Sequence, residues 1–530
     1  MMIKITNLEL TLEEEKSDLK GKAAKLLRIP ESEILSLEIQ KESIDARKEP
    51  LKFVHTVHLT VKDEELALRK NRSPKVSHYA ETIREPLTKG NMLLKHRPVV
   101  VGLGPAGLFA ALKLAEEGYC PLVLERGAPM KERDEKVDFF MKTGILDVKT
   151  NIQFGEGGAG AYSDGKLTTR IKDPRIHEVI DMLLSAGAPE EIAYLSKPHV
   201  GTDLLKEVVV KIRERIKEQG GEVRFYSQME NLKIKDGALK EITVNGEPFE
   251  TEVMILALGH SARDTYETLF SKGITMEAKS MAVGVRIENL QWRISESQYG
   301  PSFLHPKLRP AEYTLAAKTR DGRGVYSFCM CPGGLVVPAA SEEGHLVVNG
   351  MSYHARDKEN ANSALVVSVT PDDYGSHPLA GIAFQRNLEK KAFQLGGGSY
   401  HAPVQKVEDF LEGKLTETFG EVQPSYEPGV KSVFLKELFP SYITEGLEDG
   451  LLQFEKKIEG FTKHGALLTG VETRTSAPVR ILRGDTLESP SAEGLYPCGE
   501  GAGYAGGIVS SAVDGIKVAE AVIRKYKPMK

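Results

Sequence analysis

The chain has 530 residues, 41% hydrophobic and 27% charged, with a formal net charge of −5. That length exceeds one hydrophobic core and predicts roughly two to four domains, while the slight acidity provides no global basic field for DNA or an anionic membrane. The N-terminus MMIKITNLELTLEEEK lacks the zones of a signal peptide, no apolar run is long enough to span a bilayer, and four cysteines make no disulfide framework, so a reducing cytoplasm is the expected location.

Residues 1–90 read as a small α+β domain. Ile3 to Leu10 alternates like a strand, Leu12 to Leu27 has helical spacing, Ile34 to Ile39 is a second strand, and Phe53, Val57, Leu59 and Val61 share one face of a third. Basic and acidic residues nearly balance there. The cluster Arg69, Lys70, Arg72 and Lys75 is the only hint of RNA binding, and a solvated linker explains it more simply.

A new unit opens at RPVVVGLGPAGLFAALKLAEEGYCPLVLERG. Pro98 to Val101 predicts a buried strand, Gly102 a tight turn, Gly104 a close approach of backbone to pyrophosphate, and Gly107 with Ala111 close packing of the following helix. The strand Pro121 to Leu124 then delivers Glu125, whose carboxylate suits ribose hydroxyls. This is a dinucleotide-binding signature that leaves NAD and FAD both open. The same glycine spacing recurs at Gly155, Gly157, Gly160 and at Gly501, Gly503, Gly506, but only the first copy has a strand before it, a helix after it and an acid about 20 residues on.

Further along, Asp203 to Gly220 predicts a helix capped by Thr202, and Glu222 to Gly259 a run of short strands broken by Asp236-Gly237 and Asn245-Gly246 turns. From Leu269 to Gly465 the pattern changes to mixed strands and helices, which reads as an inserted domain. Strand-turn-helix logic returns at GLYPCGEGAGYAGGIVSSAVDGIKVAEAVIRKY, with Ile508 to Tyr526 as a long amphipathic helix. No strand and no ribose acid follow this last glycine run. It therefore rejoins the first unit and aims a second helix N-terminus at the same ligand, where Glu500 can bond a polyhydroxyl chain. The expected division is 1–90, 91–268, an inserted substrate domain at 269–465, and 466–530 completing the nucleotide domain.

The set VVVGLGPAGLFAAL, MILALG and LYPCGEGAGYAGGI resembles the glutathione-reductase-type FAD-binding fold, an α/β Rossmann-like architecture. More narrowly, NIQFGEGGAGAYSDGKLTTR, ALGHSARDTYE, VYSFCMCPGG, GVETRTSAPVRI and YPCGEGAGYAGGI resemble an uncharacterised family of bacterial FAD-dependent dehydrogenases. The resemblance implies FAD as cofactor and assigns Gly102, Gly104, Pro105, Ala106 and Gly107 to pyrophosphate, Glu125 and Arg126 to the adenosine ribose side, Met229 to adenine and Gly259 to the space beneath the cofactor. It assigns Gly499, Glu500, Gly506, Gly507 and Ile508 to ribitol and flavin. Many relatives carry Asp where this chain has Glu500. A second complete NAD turn is absent, which argues against a two-nucleotide reductase.

The loop GEGGAGAYSDGK resembles one that lies over flavin, making Gly158, Gly160, Ser163 and Lys166 cofactor candidates. Lys166 could stabilise an anionic reduced flavin or an acidic substrate, or be a solvated lysine. His260 is a candidate proton carrier or a simple turn cap. Arg474 suits either carboxylate recognition or a buried salt bridge. Cys329 and Cys331 would share one face of a strand, as a redox pair or as core; His345 beside them completes no metal set. The expected function is a FAD-dependent oxidoreductase transferring hydride between flavin N5 and a small-molecule substrate, with NAD(P)H a candidate donor. An RNA-modifying flavoenzyme and a non-catalytic redox sensor are the alternatives.

Overall fold

The computed structural model describes residues 2–71, 73–80 and 86–529, with Lys70 as backbone only. Arg72 of the basic cluster lies outside the described residues. At the N-terminus four strands form an antiparallel sheet in the order Ile34–Asp45, Lys52–Val61, Met2–Thr11, Val76–Tyr79. Its register pairs Ile3 with Leu59 and Ile5 with Val57, and the helix Asp18–Leu27 lays Leu19, Ala23 and Leu27 on that face. The helix starts later than the apolar spacing from Leu12 predicts. The Glu14 carboxylate accepts from both the Thr11 N–H and the Thr11 hydroxyl, and this local bonding holds a turn in place of a first helical turn.

Five short strands form the parallel sheet Leu495–Pro497, Met254–Leu256, Val99–Val101, Leu122–Leu124, Glu222–Arg224. All four central or C-terminal strands are apolar and buried, as parallel strands covered on both faces must be. The helices Pro105–Glu116 and Ile508–Lys525 pack together on one side, and Thr202–Glu218 joins them. Thr202 does not cap that last helix. It is the first helical residue behind Gly201, and its hydroxyl donates to the Ala161 carbonyl at 2.7 Å. The Asp236-Gly237 and Asn245-Gly246 pairs all have positive φ, the geometry that a tight hairpin turn requires.

A seven-stranded sheet fills the middle of the chain, in the order Ala316–Lys318, Gly324–Cys331, Asn360–Val369, Met281–Leu290, Leu467–Glu472, Ala402–Lys406, Val430–Ser432. Met281–Leu290 is buried at every position, with the helix Ser441–Glu455 packed on the sheet. Regular alternation fails at the cysteines. Cys329 has φ 45° and the pairing with Asn360–Val369 slips between Phe328 and Cys331, a β-bulge that re-aims the side chains there. Among the described residues no helix is long and apolar enough to cross a membrane.

Candidate functional site

The carboxyl ends of the parallel strands converge on one cavity, whose wall runs through Val101–Ala106, Leu124–Arg126, Ala257–Ala262 and Cys498. This is where an open parallel sheet binds ligands. Gly102 has φ 98°, and a Cβ there would stand 2.3 Å from the Ala257 carbonyl oxygen. Gly104, at the N-terminus of Pro105–Glu116, faces Gly158 of the second glycine loop so closely that a Cβ on Gly158 would lie 2.9 Å from the Gly104 Cα. Bare backbone thus forms part of the wall, and Gly506, Gly507 and Ile508 bring a second helix N-terminus to the same cavity. Two helix ends with free N–H groups form a cradle for a diphosphate.

Glu125 braces this cradle. Its carboxylate, only 5% exposed, accepts from the N–H groups of Leu103, Gly127 and Gly155 at 2.9 to 3.0 Å, tying the two glycine loops together while still bordering the cavity. Arg126 pairs with Asp264, donates to Thr265 Oγ1 and lies over the Phe154 ring. A residue with no motif to mark it does comparable work: Arg133, fully buried, donates to the carbonyls of Asn151, Ile152, Gly155, Glu156 and Gly158. One guanidinium holds the whole second loop.

Gly158, Gly160, Ser163, Lys166, Met229, Gly259 and Glu500 also line the cavity. Two assigned glycines do not. Gly107 sits under the turn, where a Cβ would meet the Gly102 carbonyl at 1.8 Å, and Gly499 packs on Ala106 while its N–H donates to Asp514. Both let the turns and helices pack closely, the role expected from the local pattern at Gly107.

Of the candidates for chemistry, Lys166 borders the cavity but ion-pairs with Glu312 at 3.3 Å. Glu312 also accepts from Arg356, which is paired with Asp164, and against its burial Lys166 and Arg356 hold its carboxyl down to about 2. His260 lines the cavity, but burial and the charges of Arg474 and Arg263 push its imidazole down to about 3. That favours the neutral imidazole, and its Nδ1 lies 2.9 Å from Ser261 Oγ at the start of the following turn. Arg474 is committed to a buried pair with Glu389 and to Ser261 and Ser341, so the salt bridge describes it, although its side chain still reaches the wall. Cys329 faces the cavity, whereas Cys331 is buried behind it. Burial raises the Glu500 carboxyl to about 7. Among the described residues no cluster of three or more His, Cys, Asp or Glu is arranged to hold a metal.

His199 lies behind the Asp164–Arg356 pair, stacked on His354 and 2% exposed; burial and Arg356 lower its imidazole to about 4. A histidine kept neutral in the fold stabilises fully above its unfolded value of about 6.5 and loses that contribution as pH falls toward the folded value, here up to about 3 kcal/mol. Urea midpoints at pH 7 and pH 4.5 should show this loss, and His199→Asn should flatten it.

A family model described as FAD-dependent protein, C-terminal domain-like, matches residues 280–475, and a domain of unknown function matches residues 2–60. The sequence is 54% identical over 531 residues to an uncharacterised protein of Clostridium beijerinckii, covering 99% of each. Among solved structures it is similar to CtdE in complex with FAD at 13% identity, covering 80% of this chain and 86% of that one with a TM-score of 0.30. It is likewise similar to a glycine oxidase of Bacillus cereus at 11% identity, covering 81% and 95% with a TM-score of 0.30. FAD dependence is what the family match carries; a specific dehydrogenase family is not among these matches.

Proposed function

Because the chain belongs to the same family as the Clostridium beijerinckii protein, and carries a FAD-dependent protein's C-terminal domain so that its cofactor is FAD, we propose that it is an oxidoreductase acting on a small molecule. The observation that carries this reading is one cavity that combines a diphosphate cradle with a second wall, drawn from the seven-stranded sheet through Phe328, Cys329 and Glu472 and from the two-stranded sheet beside it through Asn349. A store for nucleotide alone has no use for that second, chemically varied wall.

When bound, FAD supplies a ring that takes or gives a hydride. The N–H groups at the starts of Pro105–Glu116 and Ile508–Lys525 would hold its diphosphate and flavin side, Glu125 the ribose, and Met229 the adenine. Gly158 to Lys166 and Gly259 would flank the ring, with the segment 269–465 as substrate cap over a nucleotide domain made of 91–268 and 466–530, and 1–90 apart from the chemistry. Glu500, near the midpoint of its titration at neutral pH, can hold or release a proton at the cavity wall. Lys166, ion-paired with Glu312, would stand beside the ring.

Purified protein should show flavin absorbance, release FAD on denaturation, and bleach anaerobically with one of NADH, NADPH or a panel of amines, amino acids and hydroxy acids. Absence of flavin from protein refolded with FAD would end the reading.

A further inference from the structure

Two thiols sit where the seven-stranded sheet meets the cofactor cavity. The bulge in Gly324–Cys331 turns Cys329 into the cavity wall beside Phe328, while Cys331 stays fully buried two residues on. The Cys331 thiol donates to the Cys329 carbonyl oxygen at 3.4 Å, which keeps the two cysteines close together. Arg286, fully buried and paired with Glu472, donates from Nη2 both to the Cys329 carbonyl and to the Cys331 sulfur at 3.3 Å. Lys166 lines the same cavity as Cys329 and adds its charge to the surroundings of that thiol.

These surroundings differentiate the two sulfurs. The neighbouring Cys331, with Arg286 and Lys166, lowers the Cys329 thiol against its burial, whereas Cys329 and burial push Cys331 up. The acidic groups facing the pair are Asp164, Glu472 and Glu500, and they do not outweigh the two cations at Cys329. The other buried cysteine at the cavity wall has different surroundings. Cys498, buried beside Asp514, has its thiol raised and no neighbouring sulfur partner among the described residues.

We propose that Cys329 and Cys331 form a second redox centre, a dithiol–disulfide couple that exchanges two electrons with FAD in the shared cavity. The proposal rests on the FAD reading above and adds to it a thiol-based carrier. In the oxidising direction the Cys329 thiolate and the Cys331 thiol join in an S–S bond, the Cys331 proton is released, and two electrons pass to oxidised flavin. In the reverse direction two electrons from reduced flavin break that bond, Cys329 departs as a thiolate in the field of the nearby Arg286 and Lys166 cations, and Cys331 takes up one proton. Atoms and charge balance with no other reagent.

The test is the electron capacity of the FAD-loaded protein. After mild oxidation, wild type titrated anaerobically with dithionite should consume four electrons per FAD, two for flavin and two for the disulfide, and Cys120→Ser should do the same. Cys329→Ser and, independently, Cys331→Ala should each consume two. Acid quenching, alkylation and peptide mass measurement should find the 324–331 segment disulfide-linked when oxidised and doubly alkylated when reduced. Wild type that stops at two electrons with both sulfurs alkylated in either state overturns the couple while FAD binding stands. Protein that takes up no FAD at all removes the electron partner and overturns both.

Discussion

Gly104→Val should give a protein that folds with the stability of wild type and has lost its grip on FAD by roughly a hundredfold or more, a change of about 3 kcal/mol in binding. The separation of the two effects follows from local geometry. Gly104 has φ −76° and ψ −177°, extended backbone open to any residue, and an added Cβ would come no nearer than 3.7 Å to another atom, the Gly158 Cα. The fold has room for the side chain. What it would occupy is the cavity in front of the first turn of Pro105–Glu116, where backbone must approach a diphosphate directly. The neighbouring Gly102→Val is the control with opposite character. At φ 98°, with the Ala257 carbonyl 2.3 Å from its Cβ, it should unfold the domain and lose FAD only as a consequence. Thermal melts of the apoprotein alongside FAD titration by tryptophan-independent flavin fluorescence would separate the two variants; equal melting losses for both would refute the assignment of Gly104 to ligand approach.

The same contrast explains what could be read from the sequence. Gly102, Gly104 and Glu125 were legible because strand, turn, helix and acid lie within one short stretch, and the geometry they require is local. Even there the reading was incomplete: Glu125 bonds Gly155 of the second glycine loop as well as its own turn, and that contact depends on where the chain returns. The hairpin turns were legible for the same local reason. The groups that set the charge around the cavity were not. Arg286 meets Glu472 across 186 residues and Arg474 meets Glu389 across 85, and no pattern of either segment names the other. Arg133 lies in the charged run KERDEK, which reads as solvated helix surface, and is buried only because the loop 151–158 wraps its guanidinium in carbonyls. For His260 and Arg474 the sequence leaves two roles open, and only burial and these distant partners favour one, the buried salt bridge in the case of Arg474.

Glu389→Leu should be the most damaging single substitution among these long-range pairs, costing on the order of 4 kcal/mol. Glu389 is fully buried and its carboxylate accepts from Arg263 at 2.7 and 2.8 Å, from Arg474 at 3.1 and 3.2 Å, and from the Thr473 hydroxyl at 2.6 Å. Both arginines override the burial that would raise this carboxyl and hold it far below the ordinary carboxylate range. Its contribution is therefore in place above the unfolded carboxylate value and is lost only in strong acid, so the effect of the substitution should be constant from pH 6 to 8. Removing the carboxylate leaves two guanidinium groups facing each other with Glu342, bonded to Arg263, as the carboxylate still paired with either, beside the neutral partners Gln385, Ser261 and Ser341. Removing one cation as well relieves that repulsion. The double variant Glu389→Leu/Arg474→Leu should thus be more stable than Glu389→Leu alone, which a urea-unfolding cycle on the four proteins would measure directly. Because Arg474 also donates to Ser261 next to His260, the cycle should be run with and without FAD: the double variant should recover fold stability without recovering the full stabilisation that FAD gives to wild type. Recovery of both would mean that Arg474 serves the pair with Glu389 alone and leaves the cavity wall unaffected.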